Sequence, residues 1–207
     1  MKYIFVVGAP GSKWSSVAKS IYYSSDVDRS DYSDARTYCH GKPGNMQLMH
    51  IGSYFDPGME FGAWFDKIAD YSAEQCEEEF NKPFTGTGSG IKIIKSHVLA
   101  LNIDFLKQRW PECPVVLVTR SNDACIGWWV RCGQFNITYP DYREYYRDLP
   151  TMCKRIDEQN GYIHAAWHKY YGREIVDSYE LADACNINAT NKHYQHFGNN
   201  DTFVKVI

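Results

Sequence analysis

The sequence predicts an α/β fold: a single domain over residues 1–207 with three layers, α/β/α, around a central and mostly parallel sheet. Three observations carry this. Lys2 to Ser16 (KYIFVVGAPGSKWSS) passes from an apolar run through a Gly/Pro/Ser turn straight into a helical pattern. Ile91 to Thr119 runs strand, helix, strand with buried-type apolar strands, the rhythm of right-handed crossovers. A length of 207 residues with 44% hydrophobic content suffices for one core and falls short of two comfortable ones.

Taken in order, Tyr3 to Val7 read as a buried strand, Gly8 to Lys13 as a loop, and Trp14 to Ser24 as a helix with Val17, Ala18 and Ile21 inward. The start of such a helix offers unpaired N–H groups and a positive dipole end to an anion. Lys13 adds a mobile cation, and Ser12, Ser15 and Ser16 add hydroxyls. The loop is not a Walker A motif, because Lys13 and Trp14 stand where that motif needs Gly and Lys. An anion cradle and an ordinary tight turn both fit the loop taken alone.

Ser24 to Gly44 is polar and without period, as a surface connection is, and Met46 to Phe55 reads as a second strand. A helical pattern follows from about Met59 to Phe80, with Cys76-Glu77-Glu78-Glu79 as its solvated face. The Gly-rich run Thr85 to Gly90 precedes a strand instead of following one, and so reads as a connector. Ile91 to Lys95 is a strand ending in Ser96-His97, Leu101 to Trp110 a helix, and Val115 to Thr119 a β-branched strand ending in Arg120. His97 and Arg120 therefore fall at the carboxyl edge of the sheet, where open α/β folds bind ligands.

The net charge of -3 gives no global attraction to nucleic acid or acidic membranes, so any anion site is local. No apolar run approaches a membrane span, and Met1 to Val7 is too short for a signal peptide, which predicts a soluble, cytoplasmic protein. Seven scattered cysteines without a C-x-x-C pair read as free thiols in a reducing compartment. The sequons at Asn136 and Asn188 are then chance matches.

Three stretches together resemble one family, the sulfotransferases that use 3'-phosphoadenosine 5'-phosphosulfate (PAPS). Ile94-Lys95-Ser96-His97-Val98-Leu99, a helix, Pro111-Glu112-Cys113-Pro114, the strand VVLVT and Arg120 are similar to the family's I-K-[ST]-H-L segment, helix, C-P-K turn, strand and Arg. Ala9-Pro10-Gly11-Ser12-Lys13 looks like its 5'-phosphosulfate loop, and Ile175 to Leu181 is similar to a strand followed by Y-E-D-L. The likeness covers residues 1–24 and 91–130. It implies a P-loop NTPase-like fold, with PAPS as donor, 3',5'-bisphosphoadenosine (PAP) as product, and no metal.

By the same resemblance His97 is the catalytic base, Lys95 and Lys13 are cations at the transferring group, and Arg120 holds the 3'-phosphate. The implied cofactor-binding set is Pro10, Gly11, Ser12, Lys13, Trp14, Ser15, Ser16, Arg120 and Ser121. The chain departs from the pattern in three ways, one being that the C-terminal R-K-G loop of some members is not recognisable, with Asn199 to Lys205 a poor substitute. Gly11 stands where the loop lysine is usual, and Trp128 or Gly127 stands where a serine follows the Arg, so Ser121 or Asn122 takes its part.

The chemistry asks for these residue types on independent grounds. A base must take the acceptor's proton, which suits imidazole. A cation must meet the charge growing on the leaving oxygen, and Arg grips a phosphate in a bidentate way that Lys cannot copy. The acceptor expected is a hydroxyl or amine on a small molecule, glycan or peptide, with no nucleic acid or membrane partner. A small-molecule kinase and a nucleotide-binding module without turnover are the alternatives. In the aromatic tract Gly127 to Tyr146, Trp128 and Trp129 read as core, and Tyr139, Tyr142, Tyr145 and Tyr146 as a substrate wall. His164 and His168 are spaced i, i+4, as a metal pair would be, without a third ligand nearby.

Overall fold

Six consecutive residues without a charge make Tyr3–Gly8 (β1) a strand that is buried throughout, as the sequence predicts. A computed structural model describes residues 1–31, 37–39, 47–49, 51–55, 59–86, 89–131, 144–198 and 201–207. After β1 the elements are Trp14–Tyr22 (α1), Thr37–Cys39 (β2), Gln47–Met49 (β3), Ser53–Tyr54 (β4), Ala73–Asn81 (α2), Lys92–Lys95 (β5), Ile103–Arg109 (α3) and Val115–Thr119 (β6). Asn122–Arg131 (α4), Leu149–Lys169 (α5), Arg173–Ile175 (β7), Ser178–Ala184 (α6) and Phe203–Val206 (β8) complete them. Helices of 3-10 type precede α2 (Gly62–Asp70) and α3 (Val98–Asn102).

The main sheet has the order β4-β5-β1-β6-β8-β7. Strands β4, β5, β1 and β6 are joined by parallel ladders, whereas β8 pairs antiparallel with both β6 and β7. The sheet is therefore mixed, which corrects the expectation of a mostly parallel one. Beyond β7, Phe197 N–H donates to the Val176 carbonyl at 2.7 Å and Asp177 bridges His196 antiparallel. The chain thus re-enters the sheet already running against β7, and no crossover intervenes to turn it.

Side chains alternate across β1 and bury both faces. Ile4 and Val6 pack with Val17, Ala18 and Ile21 of α1 and Leu181 of α6. Tyr3, Phe5 and Val7 pack with Phe80 of α2, Leu106 of α3 and Ile163 of α5. Each large apolar side chain so buried contributes about 1.5–3 kcal/mol.

Two further expectations are corrected. The predicted strand Met46 to Phe55 divides: β3 pairs with β2 in a separate two-stranded sheet, and only β4 joins the main one. The predicted helix Met59 to Phe80 is interrupted, because Ser72 and Gln75 form a reciprocal capping box that starts α2 afresh. The connector reading of Thr85 to Gly90 falls partly outside the described residues, as do Tyr139 and Tyr142.

Candidate active site

The loop Ala9 to Lys13 is held by close backbone packing. Gly11 has φ +82°, and a Cβ there would lie 2.3 Å from the Cys125 carbonyl oxygen, so only glycine lets the loop rest on α4. At Gly8 a Cβ would come within 2.6 Å of Ser12 Oγ. Ser12 N–H closes the turn onto the Ala9 carbonyl at 3.0 Å. The Ser12 hydroxyl is fully buried and has no hydrogen-bond partner among the described residues. An orphaned hydroxyl of that kind is costly unless a ligand or water satisfies it.

Lys13 itself is the residue before α1, in the left-handed region (φ 67°), and its side chain does not cap the helix. The N–H groups of Trp14 and Ser15 open the helix without intrahelical acceptors. Desolvation, then the nearby Arg120 charge, hold the Lys13 ammonium below its usual range, and Asp201 opposes them. Pro10 is buried, and Ser15 is half-buried. Ser16 turns away from the loop: its hydroxyl donates to Gln195 Oε1 at 2.8 Å.

Strand β5 delivers the second group. Ile93 and Lys95 share the sheet face that α1 covers, and Lys95 is fully buried. Its Nζ stands 5.3 Å from the Trp14 ring centroid and 5.2 Å from that of Tyr54. His97, 2% exposed, donates from Nδ1 to the Gly8 carbonyl. A carbonyl only accepts, so this bond fixes the Nδ1–H tautomer and puts the basic lone pair on Nε2. The imidazole packs on Trp14 at 4.2 Å. Burial above all, aided by the Lys95 charge and opposed by the Gly8 bond, pushes its pKa down to about 3. It is therefore neutral near pH 7, although a pKa this low also makes it a weak proton acceptor.

From β6, Arg120 reaches back to the same loop and donates to the Gly11 carbonyl at 3.4 Å and to Ala124 at 3.4 Å. Ser121 Oγ accepts from Ala124 N–H at 3.3 Å and so starts α4. A pocket of about 320 Å³ opens here, lined by Arg120, Ser121, Asn122, Asn160 and His164 among others. Asn160 was not legible as a site residue. From α5 it donates to the Arg120 carbonyl at 3.0 Å and to Asn122 Oδ1 at 2.6 Å, fixing the strand end. No local motif marks it, since its partners lie about 40 positions away in sequence.

Part of the aromatic tract resolves differently from the expectation. Trp129 and Tyr146 are buried against one another and against Met152 and Ile156, so Tyr146 is core and not a substrate wall. His164 meets the Thr119 hydroxyl at 2.8 Å, and among the described residues no cluster of three His, Cys, Asp or Glu side chains stands ready for a metal. No described helix is long and apolar enough to cross a membrane. No family model, curated protein or solved structure matches the chain. The site's own geometry must carry its functional reading.

Proposed function

We propose that the chain is a PAPS-dependent sulfotransferase, a three-layer P-loop-like domain that moves a sulfuryl group to a hydroxyl or amine on a small molecule, glycan or peptide. One observation carries this reading. Groups 89 and 109 positions from the loop in sequence, His97 and Arg120, both bond its carbonyls, at Gly8 and Gly11. Base, cradle and guanidinium thus share one strand edge, as transfer from a phosphosulfate requires.

The donor fits the residues present. The orphaned Ser12 hydroxyl, the first N–H groups of α1 and Lys13 offer donors to a phosphosulfate, and Arg120 beside its pocket offers a bidentate grip to a 3'-phosphate. When bound, PAPS supplies the sulfuryl group on a phosphate leaving group. His97 Nε2 takes the acceptor's proton as the new oxygen–sulfur (or nitrogen–sulfur) bond forms and the sulfur–oxygen bond to phosphate breaks, leaving PAP. Lys13 and Lys95 meet the charge left on that bridging oxygen. The scattered cysteines, which among the described residues are free thiols, favour a reducing compartment such as the cytoplasm.

Calorimetry with PAP, AMP, and ATP with magnesium, on wild type and Arg120→Ala, tests the reading. Wild type should prefer PAP over AMP at least tenfold, and Arg120→Ala should erase most of that preference. Magnesium-dependent ATP binding tighter than PAP binding would overturn it in favour of a kinase.

A further inference from the structure

The pairing register puts Tyr54 of β4 directly opposite Lys95 of β5, and Phe55 N–H bonds the Lys95 carbonyl at 2.8 Å. Trp14, the first residue of α1, closes over the same ammonium, with its ring 5.4 Å from Tyr54 and tilted by 52°. Two aromatic faces therefore flank one fully buried Nζ, at 5.3 and 5.2 Å. Both rings also touch His97, Trp14 at 4.2 Å and Tyr54 edge-on at 6.3 Å.

From this arrangement we infer that Trp14 and Tyr54 are positioning residues: an aromatic cage that holds the Lys95 ammonium, and with it the His97 ring, at the cradle. Burying a cation is unfavourable unless its surroundings answer the charge, and an aliphatic side chain would fill this space without that penalty. Aromatic faces do answer it, through the ring quadrupole. Trp14 is 5% exposed and Tyr54 1%, both also pack in the apolar cluster beside α1, and neither presents an open face to a nucleobase. The inference rests on the sulfotransferase reading for its purpose, whereas the cage itself does not.

The test separates the two. In protein carrying carbon-13 lysine, with the Lys95 signal assigned through Lys95→Met, the Lys95 Hε resonance should lie upfield of every other lysine because two rings shield it. Tyr54→Phe should keep that shift and wild-type transfer from PAPS. Tyr54→Leu should lose much of the shift and lower kcat at least tenfold, while PAP affinity stays within about threefold. Should Tyr54→Leu fold poorly, Tyr54→Met, closer in volume and also without a ring, gives the same comparison against Tyr54→Phe. An ordinary Lys95 shift in wild type overturns the cage. A lost shift with unchanged kcat, or a fall in PAP affinity equal to that in kcat, overturns the positioning role. If wild type neither binds PAP nor transfers, the sulfotransferase reading fails and the positioning role with it, while the resonance still decides the cage.

Discussion

The two ends of the sheet differ in how many polar groups they bury together. At the carboxyl ends of β1, β5 and β6, Ser12, Lys95, Ser96, His97 and Thr119 are all buried. At the opposite end some polar groups are paired on the surface, as Lys2 with Glu77 and Arg173 with Asp183 are, while Tyr3 at the start of β1 and Asp28 beside Ile91 are buried. The larger pocket, about 590 Å³, lies there too, lined by residues such as Met1, Pro111, Tyr171 and Ile207. Among the described residues, no buried polar or charged side chain lines it. On the proposed function volume alone would misplace the chemistry, and the cluster of desolvated polar groups at the carboxyl edge marks it better. Lys205 shows what a buried lysine does in a purely structural setting. Its Nζ donates to the Trp167 and Tyr170 carbonyls at 2.6 and 3.0 Å, around the carboxyl end of α5.

The sharpest way to break this contrast is His97→Ala. Turnover should fall at least about 100-fold, the usual contribution of a general base. PAP affinity should stay within a few fold, because the base faces the acceptor and not the nucleotide. More than about a tenth of wild-type turnover remaining would remove His97 from the mechanism.

Much of this edge was legible in the sequence because strand ends are local. The apolar runs of β1 and β6 and the residues just past β5 and β6 place His97 and Arg120 without tertiary information. The direction of β8 was not legible: FVKV reads as a strand either way, and only the antiparallel return along Val176 and Asp177 decides it. Tyr54 was missed for a related reason. Its place beside Lys95 comes from register between strands distant in sequence, and no spacing encodes that. The Ser72 to Gln75 capping box, by contrast, is a local S-x-x-Q signal that the apolar period overshadowed.

A second, smaller effect sharpens the comparison through pH. The imidazole of an unfolded chain takes up a proton below about 6.5, whereas buried His97 does so only near 3. Between those values the unfolded state binds more protons, so the contribution is fully present above the upper value and fades as pH falls. Roughly a few kcal/mol should disappear across that window in urea titrations. His97→Gln, which has nothing to titrate, should show a shallower slope of stability against pH between about 3 and 6.5. Equal slopes would mean that the imidazole is not held neutral by burial. The same depression predicts that kcat/KM shows no histidine limb near 6.5.

The smallest expected effect lies at the other end of the sheet. Lys2 Nζ and Glu77 are 2.5 Å apart, with side chains 54% and 31% exposed. Short as it is, the pair gains little, because water screens both charges and the lysine gives up rotamer freedom to hold one geometry. Lys2→Met removes the ammonium from over the Tyr3 ring as well as from Glu77, and it leaves intact the Lys92 N–H bond to the residue 2 carbonyl and the Trp110 Nε1–H bond to Glu77. It should change unfolding free energy by less than about 1 kcal/mol, a shift of no more than about 4 °C in Tm for a chain of this size. PAP affinity and turnover should not move at all, since Lys2 precedes the amino end of β1 and the cradle follows its carboxyl end. A cost above about 2 kcal/mol would place this pair among the strongly coupled, desolvated ones. The amino edge would then add a strongly coupled ion pair to the Tyr3 and Asp28 side chains already buried there, and the contrast between the two ends would weaken further.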